Sequence, residues 1–155
     1  MVMGKVKRGG SGCYCAENTL LQALIGHLLV ARDEVVILDM AAGIEHLGRA
    51  TAKAVDKLII VVEPGRKSIE TAFRIKKLAE DIGLTKIVAA GNKVRSLSDQ
   101  DFLKASLPGF EIIGFIPYDI EIINAEVSGS LTLEASQSVK EEVNKIIQAL
   151  LQSAT

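Results

Sequence analysis

Four short apolar runs punctuate the chain: EVVILD (34–39), KLIIVVE (57–63), KIVAAG (86–91) and EIIGFI (111–116). Their apolar residues are consecutive rather than alternating. Each run therefore predicts a strand buried on both faces, as in a parallel sheet covered by helices. The terminal segment VMGKV is a further candidate strand. Between the runs the period changes to three and four. Over 17–30, Leu20, Leu21, Leu24, Ile25, Leu28 and Leu29 form one helical stripe, opened by Glu17 or Asn18. Over 66–82, Ile69, Ala72, Phe73, Leu78, Ala79 and Ile82 share a face, and Gly83 ends the helix. Near the C-terminus, Ser138 and Glu141 have capping-box spacing ahead of Val139, Val143, Ile146, Ile147, Leu150 and Leu151. Strand and helix alternate along the chain. The pattern predicts an α/β fold: an open, mostly parallel, doubly wound sheet with helices on both faces, as a single domain over 1–155.

Composition narrows this picture. With 155 residues, 48% of them hydrophobic, the chain can bury one core of ordinary size. Aromatic residues make up only 4% and Trp is absent, so Ile, Leu, Val and Ala must build that core. A formal charge of −1 argues against a nucleic-acid partner, and the basic cluster Lys5, Lys7, Arg8 is short enough to be a solvated loop edge. No apolar run has the length of a membrane span, and the first residues lack the layout of a signal peptide. A cytoplasmic location is expected, with both cysteines as reduced thiols.

Ligands of open parallel sheets sit beyond the carboxyl ends of the strands, so the residues following each run carry the functional reading. Asp39 closes the first run, where a carboxylate can hold the water shell of Mg²⁺, and Gly43 can bring a backbone N–H close to a phosphate. Asn92 and Lys93 follow the third run. The Asn amide can pair with the donor and acceptor on one edge of adenine, and the Lys stem can cover a purine face. Pro117, Tyr118 and Asp119 follow the fourth run and can wall the same base pocket. Each segment alone also reads as an ordinary turn. Three in the right order, each at a strand end, look like a P-loop NTPase fold.

The stretch RGGSGCYC (8–15) contains both cysteines. A phosphate-binding loop needs Gly-x-x-x-x-Gly-Lys-Ser/Thr, because the ammonium grips phosphate and the hydroxyl binds Mg²⁺. This stretch has glycines but no Lys-Ser/Thr, and Gly4-Lys5 is followed by Val6. A disulfide between Cys13 and Cys15 would close a small strained ring. Two thiolates supply half of a tetrahedral site. The rest can come from His27, from His46 (which can instead sense nucleotide or metal state) or from the cysteines of a second chain. The bland reading, two ordinary thiols on a glycine loop, stays open.

Taken together, GGSGCYC, VVILDMAAGIEHLGR, VDKLIIVVEPGRKSIETA and GNKV resemble the CooC-type accessory ATPases of the MinD/ParA group, which serve nickel insertion into carbon monoxide dehydrogenase. The resemblance covers essentially the whole chain. It implies binding of ATP or ADP with Mg²⁺, dimerisation on nucleotide, and a Ni²⁺ or Zn²⁺ ion held between protomers by Cys13 and Cys15. It assigns Asp39 as the Walker B acid, Gly43 as the phosphate-sensing glycine, Asn92 with Lys93 as base readers, and Pro117 to Asp119 as the base pocket. Family members begin with a strand and a lysine-bearing phosphate loop that this sequence does not show. The missing strand would lie between the first and second runs, so a truncated, hydrolysis-deficient chain is expected. A nonenzymatic metal-holding or interaction module on the same fold, and a MinD/ParA-type partition ATPase fragment, are the alternatives.

Overall fold

The run LIIVV pairs along its length with IVAAG, and IVAAGNKV pairs in turn with EIIGFIP. In the computed structural model, which describes residues 35–39, 55–130 and 132–152, these segments are β1 (Leu58–Val62), β2 (Ile87–Val94) and β3 (Glu111–Pro117). All pairings are parallel, in the order β1-β2-β3. The helices are α1 (Arg66–Asp81), α2 (Leu97–Ser106), α3 (Ile120–Ser128), α4 (Thr132–Ala135) and α5 (Gln137–Gln152). The architecture is the open parallel α/β sheet that the apolar runs predict.

The chain divides into two compact units, 1–55 and 56–155, and all three strands lie in the second. Of the first unit, residues 35–39 and 55 are described, and 35–39 form no strand, contrary to the strand expected over 34–39. A strand exists only through its ladder, and none of the described pairings includes these residues. Val35, Val36 and Ile37 are exposed. The expected helix over 17–30 and the candidate strand VMGKV lie outside the described residues.

Stepping the same way from β1 to β2 to β3 places both crossover helices on one face of the sheet. The main core forms there: Ile60 and Val62 of β1 with Ala89 and Val94 of β2, covered by Ala72 of α1 and Leu103 and Leu107 at the end of α2. On the other face α5 lies against β3 so closely that a methyl group at Gly114 would stand 2.5 Å from Ile146 Cγ1. Helices thus lie on both faces. Over β1 the second face is nevertheless open among the described residues, with Ile59 and Val61 exposed, contrary to the burial on both faces that the run predicts.

Two bulges make this packing possible. Ala89 pairs with Ile112 but Ala90 with Gly114, so β3 carries one extra residue, Ile113. Further on, Gly91 pairs with Phe115 and Val94 with Pro117, so β2 carries the extra residue instead. The first bulge turns Gly114 towards α5, although Ile112, two positions earlier, packs against the main core. The second returns Val94 to the core face shared by Gly91.

Helix ends follow local chemistry. Gly83, at φ 93, closes α1 with the Leu84 N–H donating to Ala79 O and the Gly83 N–H to Glu80 O, the paired bonds of a Schellman end. The capping box expected from Ser138 and Glu141 is displaced by two residues. Ser136 is the cap, its Oγ accepting the Val139 N–H at 3.2 Å.

Candidate functional site

The carboxyl ends of β2 and β3 meet the start of α3 and the first turn of α5 around a cleft of about 240 Å³. Asn92, Lys93, Tyr118 and Asp119 form its polar rim, and Ile116, Pro117, Ile122, Ile123 and Val139 its apolar wall. The five residues that the sequence marks after the third and fourth runs therefore converge on one place. Ile116, Ile122, Ile123 and Val139 were not foreseen. The first three flank Pro117 to Asp119 in sequence, whereas Val139 reaches the cleft only through tertiary packing.

The second bulge sets the rim. It spans Asn92 and Lys93, and Lys93 sits at φ 55, in the left-handed region that a lysine rarely adopts. Beyond the bulge the Tyr118 N–H donates to Val94 O at 2.9 Å, which ties the two strand ends together. The Lys93 ammonium lies 2.7 Å from Glu63 Oε1, at the carboxyl end of β1. Both side chains are about half exposed (57% and 51%), so water screens the pair and its effect is on position more than on stability. The hydrogen bond and the charge of Glu63 hold Lys93 above the ordinary lysine pKa. Glu63 closes β1 as Asp39 closes the run before it, a signal present in the sequence but not weighed for this acid.

Asp119 serves two helices at once. It caps α3, its Oδ1 accepting the Glu121 N–H at 2.9 Å. Its Oδ2 accepts the Ser136 hydroxyl at 2.5 Å and the Ser138 hydroxyl at 3.4 Å. The Ser136 hydroxyl is the largest influence holding the carboxyl below its ordinary range, followed by the Glu121 N–H. These donors occupy most of the accepting capacity of a carboxylate. Asp119 is accordingly a structural junction on the rim, with little left to offer a ligand that brings its own donors.

An asparagine amide beside apolar walls suits a flat, partly polar ring. The volume lies below the roughly 300–1,000 Å³ of pockets that enclose a whole drug-sized ligand, so the cleft fits a base rather than an entire nucleotide. Asp39 is exposed and belongs to the first unit. Gly43, Cys13, Cys15, His27 and His46 lie outside the described residues. Among the described residues no three His, Cys, Asp or Glu side chains gather as a metal site. None of the described helices is long and apolar enough to cross a membrane.

No family model matches the sequence. Individual proteins do. The uncharacterized ATP-binding protein MJ0823 of Methanocaldococcus jannaschii is 46% identical over 154 residues, covering 96% of this chain and 60% of the relative. The carbon monoxide dehydrogenase accessory protein CooC of Rhodospirillum rubrum is 40% identical over 152 residues, covering 98% of this chain and 58% of the relative. A second uncharacterized ATP-binding protein of M. jannaschii, MJ0685, is 34% identical over 158 residues, covering 97% and 60%. The chain thus spans about 60% of the length of these curated relatives. By sequence the chain is similar, over nearly its whole length, to CooC and to proteins named as ATP-binding.

Proposed function

We propose that this chain binds an adenine nucleotide, with the base in the cleft between β2 and β3, and acts in a nickel-insertion accessory protein for carbon monoxide dehydrogenase. One observation carries the nucleotide reading: Asn92, Lys93, Pro117, Tyr118 and Asp119, separated in sequence, line a single base-sized cleft at the carboxyl ends of parallel strands. Asn92 is the base-reading amide, Pro117 and the isoleucines are the apolar sides, and the Lys93 stem covers a ring face. The likeness to proteins named as ATP-binding supports adenine as the base.

Bound Mg²⁺ would neutralise phosphate charge, and Asp39 is the residue proposed to hold its water shell, with Gly43 offering a backbone N–H to phosphate. The sequence contains no Gly-x-x-x-x-Gly-Lys-Ser/Thr. We therefore expect this chain by itself to bind nucleotide without hydrolysing it. Cys13 and Cys15 of two chains would together supply four thiolates, a donor set suited to Zn²⁺ and able to hold Ni²⁺. The accessory role and the client are taken from the named function of the Rhodospirillum rubrum relative. The homodimer is proposed from the family resemblance, with the two-thiolate set of one chain as its support. We place the protein in the cytoplasm, as the sequence reading expects.

Calorimetric titration with Mg-ADP tests the reading. Asn92→Ala should weaken binding on the order of tenfold, the worth of roughly 1.4 kcal/mol. Equal affinity in wild type and variant would overturn the assignment. Equilibrium dialysis with Ni²⁺ or Zn²⁺ should give one metal per two chains, lost in the Cys13→Ala/Cys15→Ala variant. Metal binding without nucleotide binding would instead favour a nonenzymatic metal-holding module.

A further inference from the structure

We infer that Glu63 is a positioning residue for the cleft: by holding the Lys93 ammonium at 2.7 Å it fixes the lysine stem as a wall against which a purine stacks. This inference rests on the nucleotide reading of the cleft and adds a residue from a third strand to it.

Lys93 is fixed at both ends. Its backbone is held at φ 55 within the second bulge, and its ammonium is held by Glu63. Glu63 is in turn secured by α1, since its backbone N–H donates to Ser68 Oγ at 2.9 Å. The rim carboxylate, Asp119, is engaged by two hydroxyls and a backbone N–H. The charge of Glu126 acts on Lys93 more weakly than Glu63, which alone among the described carboxylates forms an ion pair with the ammonium. Lysine has many rotamers when free, and ordering it on ligand arrival opposes binding. A stem ordered beforehand removes that cost, so the anchor acts through preorganisation and not through any contact with the ligand. It also links the cleft to the loop entering α1, by a side-chain tie that adds to the β1–β2 ladder ending at Val62 and Gly91.

Adenosine is the probe, because it carries the base without phosphate charge, and its affinity is read by titration at low salt. Glu63→Gln keeps size and removes charge. It should weaken adenosine about two- to fivefold, the range of an exposed ion pair. At roughly 1 M NaCl, where the Debye length falls to about 3 Å, the difference between wild type and variant should shrink. In a Lys93→Met background, Glu63→Gln should have no further effect, because the anchored group is gone. Both side chains are half exposed, so the variants keep the fold and a change in affinity reports the site. Unchanged affinity in Glu63→Gln at low salt, or an equal loss in the Lys93→Met background, would overturn the inference. If wild type binds adenosine and Asn92→Ala weakens it while Glu63→Gln does not, the nucleotide reading stands and the anchor falls. If wild type binds no adenosine, both fall.

Discussion

Gly114 offers the sharpest test of the packing that supports the cleft. A methyl group there would lie 2.5 Å from Ile146 Cγ1 and 3.0 Å from its Cδ1. Carbon atoms rest near 3.5–4.0 Å, so Gly114→Ala demands about 1 Å of displacement. Cγ1 stands close to the α5 backbone and cannot swing clear as a chain end would. Overpacking of this kind costs about 1–3 kcal/mol. Against it stands a gain of about 0.4–1 kcal/mol, because alanine restricts the unfolded chain more than glycine does. The steric cost wins at the centre of both ranges, and a net loss of roughly 0–2.6 kcal/mol, about 1.3 at the midpoints, is expected in urea denaturation of the full chain. Ile146→Ala alone should cost about 2–5 kcal/mol for a buried side chain. The double variant should be more stable than the sum of the two predicts, by about 1 kcal/mol or more, because the deletion makes room for the insertion. Strict additivity, or a Gly114→Ala chain more stable than wild type, would refute this packing. Val139 sits on the same helix and on the cleft wall, so Gly114→Ala should also weaken Mg-ADP.

The remaining predictions concern caps and charge. Ser136→Ala removes the acceptor for the buried Val139 N–H and should cost about 1–2 kcal/mol, read as a lowered thermal midpoint. Gly83→Ala places a side chain at φ 93 and should cost about 1 kcal/mol in the same assay, whereas an unchanged midpoint would remove the Schellman end from the account. Asp119 and Asp99 are held below the ordinary carboxylate value of 3.8, Asp119 chiefly by the Ser136 hydroxyl and Asp99 chiefly by the Arg95 backbone N–H. Depressed folded values mean their contribution is complete above about pH 4 and disappears as pH falls through the folded values. Acid denaturation of Asp119→Asn should therefore show a shallower fall below about pH 4 than wild type, and identical slopes would contradict the junction role.

Three strands were legible because runs of consecutive apolar residues mark strands, although burial on both faces does not hold for β1, where Ile59 and Val61 are exposed. What those runs could not report is pairing. Residues 35–39 (VVILD) begin with an apolar run like that of β1 (LIIVV) and carry no ladder in the structure. β2 continues past Gly91 to Val94 although Asn92 and Lys93 look like a turn, because a bulge lets polar residues leave the ladder without ending it. Ser136 outcompeted Ser138 as the cap through Asp119, a partner seventeen residues away and beyond any local motif. For the candidate site, position after a strand was sufficient to mark Asn92, Lys93 and Pro117 to Asp119. Val139 needed the path of α5, and Glu63 needed the knowledge that β1 lies beside β2.

The two bulges carry a consequence for how such a sequence can change in length. One extra residue in β3 is cancelled, a few positions later, by one extra residue in β2, so the strand ends arrive level. A deletion at Ile113 alone would bring Asp119 one step early against Val94, pulling the shared cap of two helices out of place. A matching deletion at Lys93 would restore the level but erase the rim. Insertions and deletions in these strands are therefore tolerated only as pairs, and only by chains that no longer use the cleft.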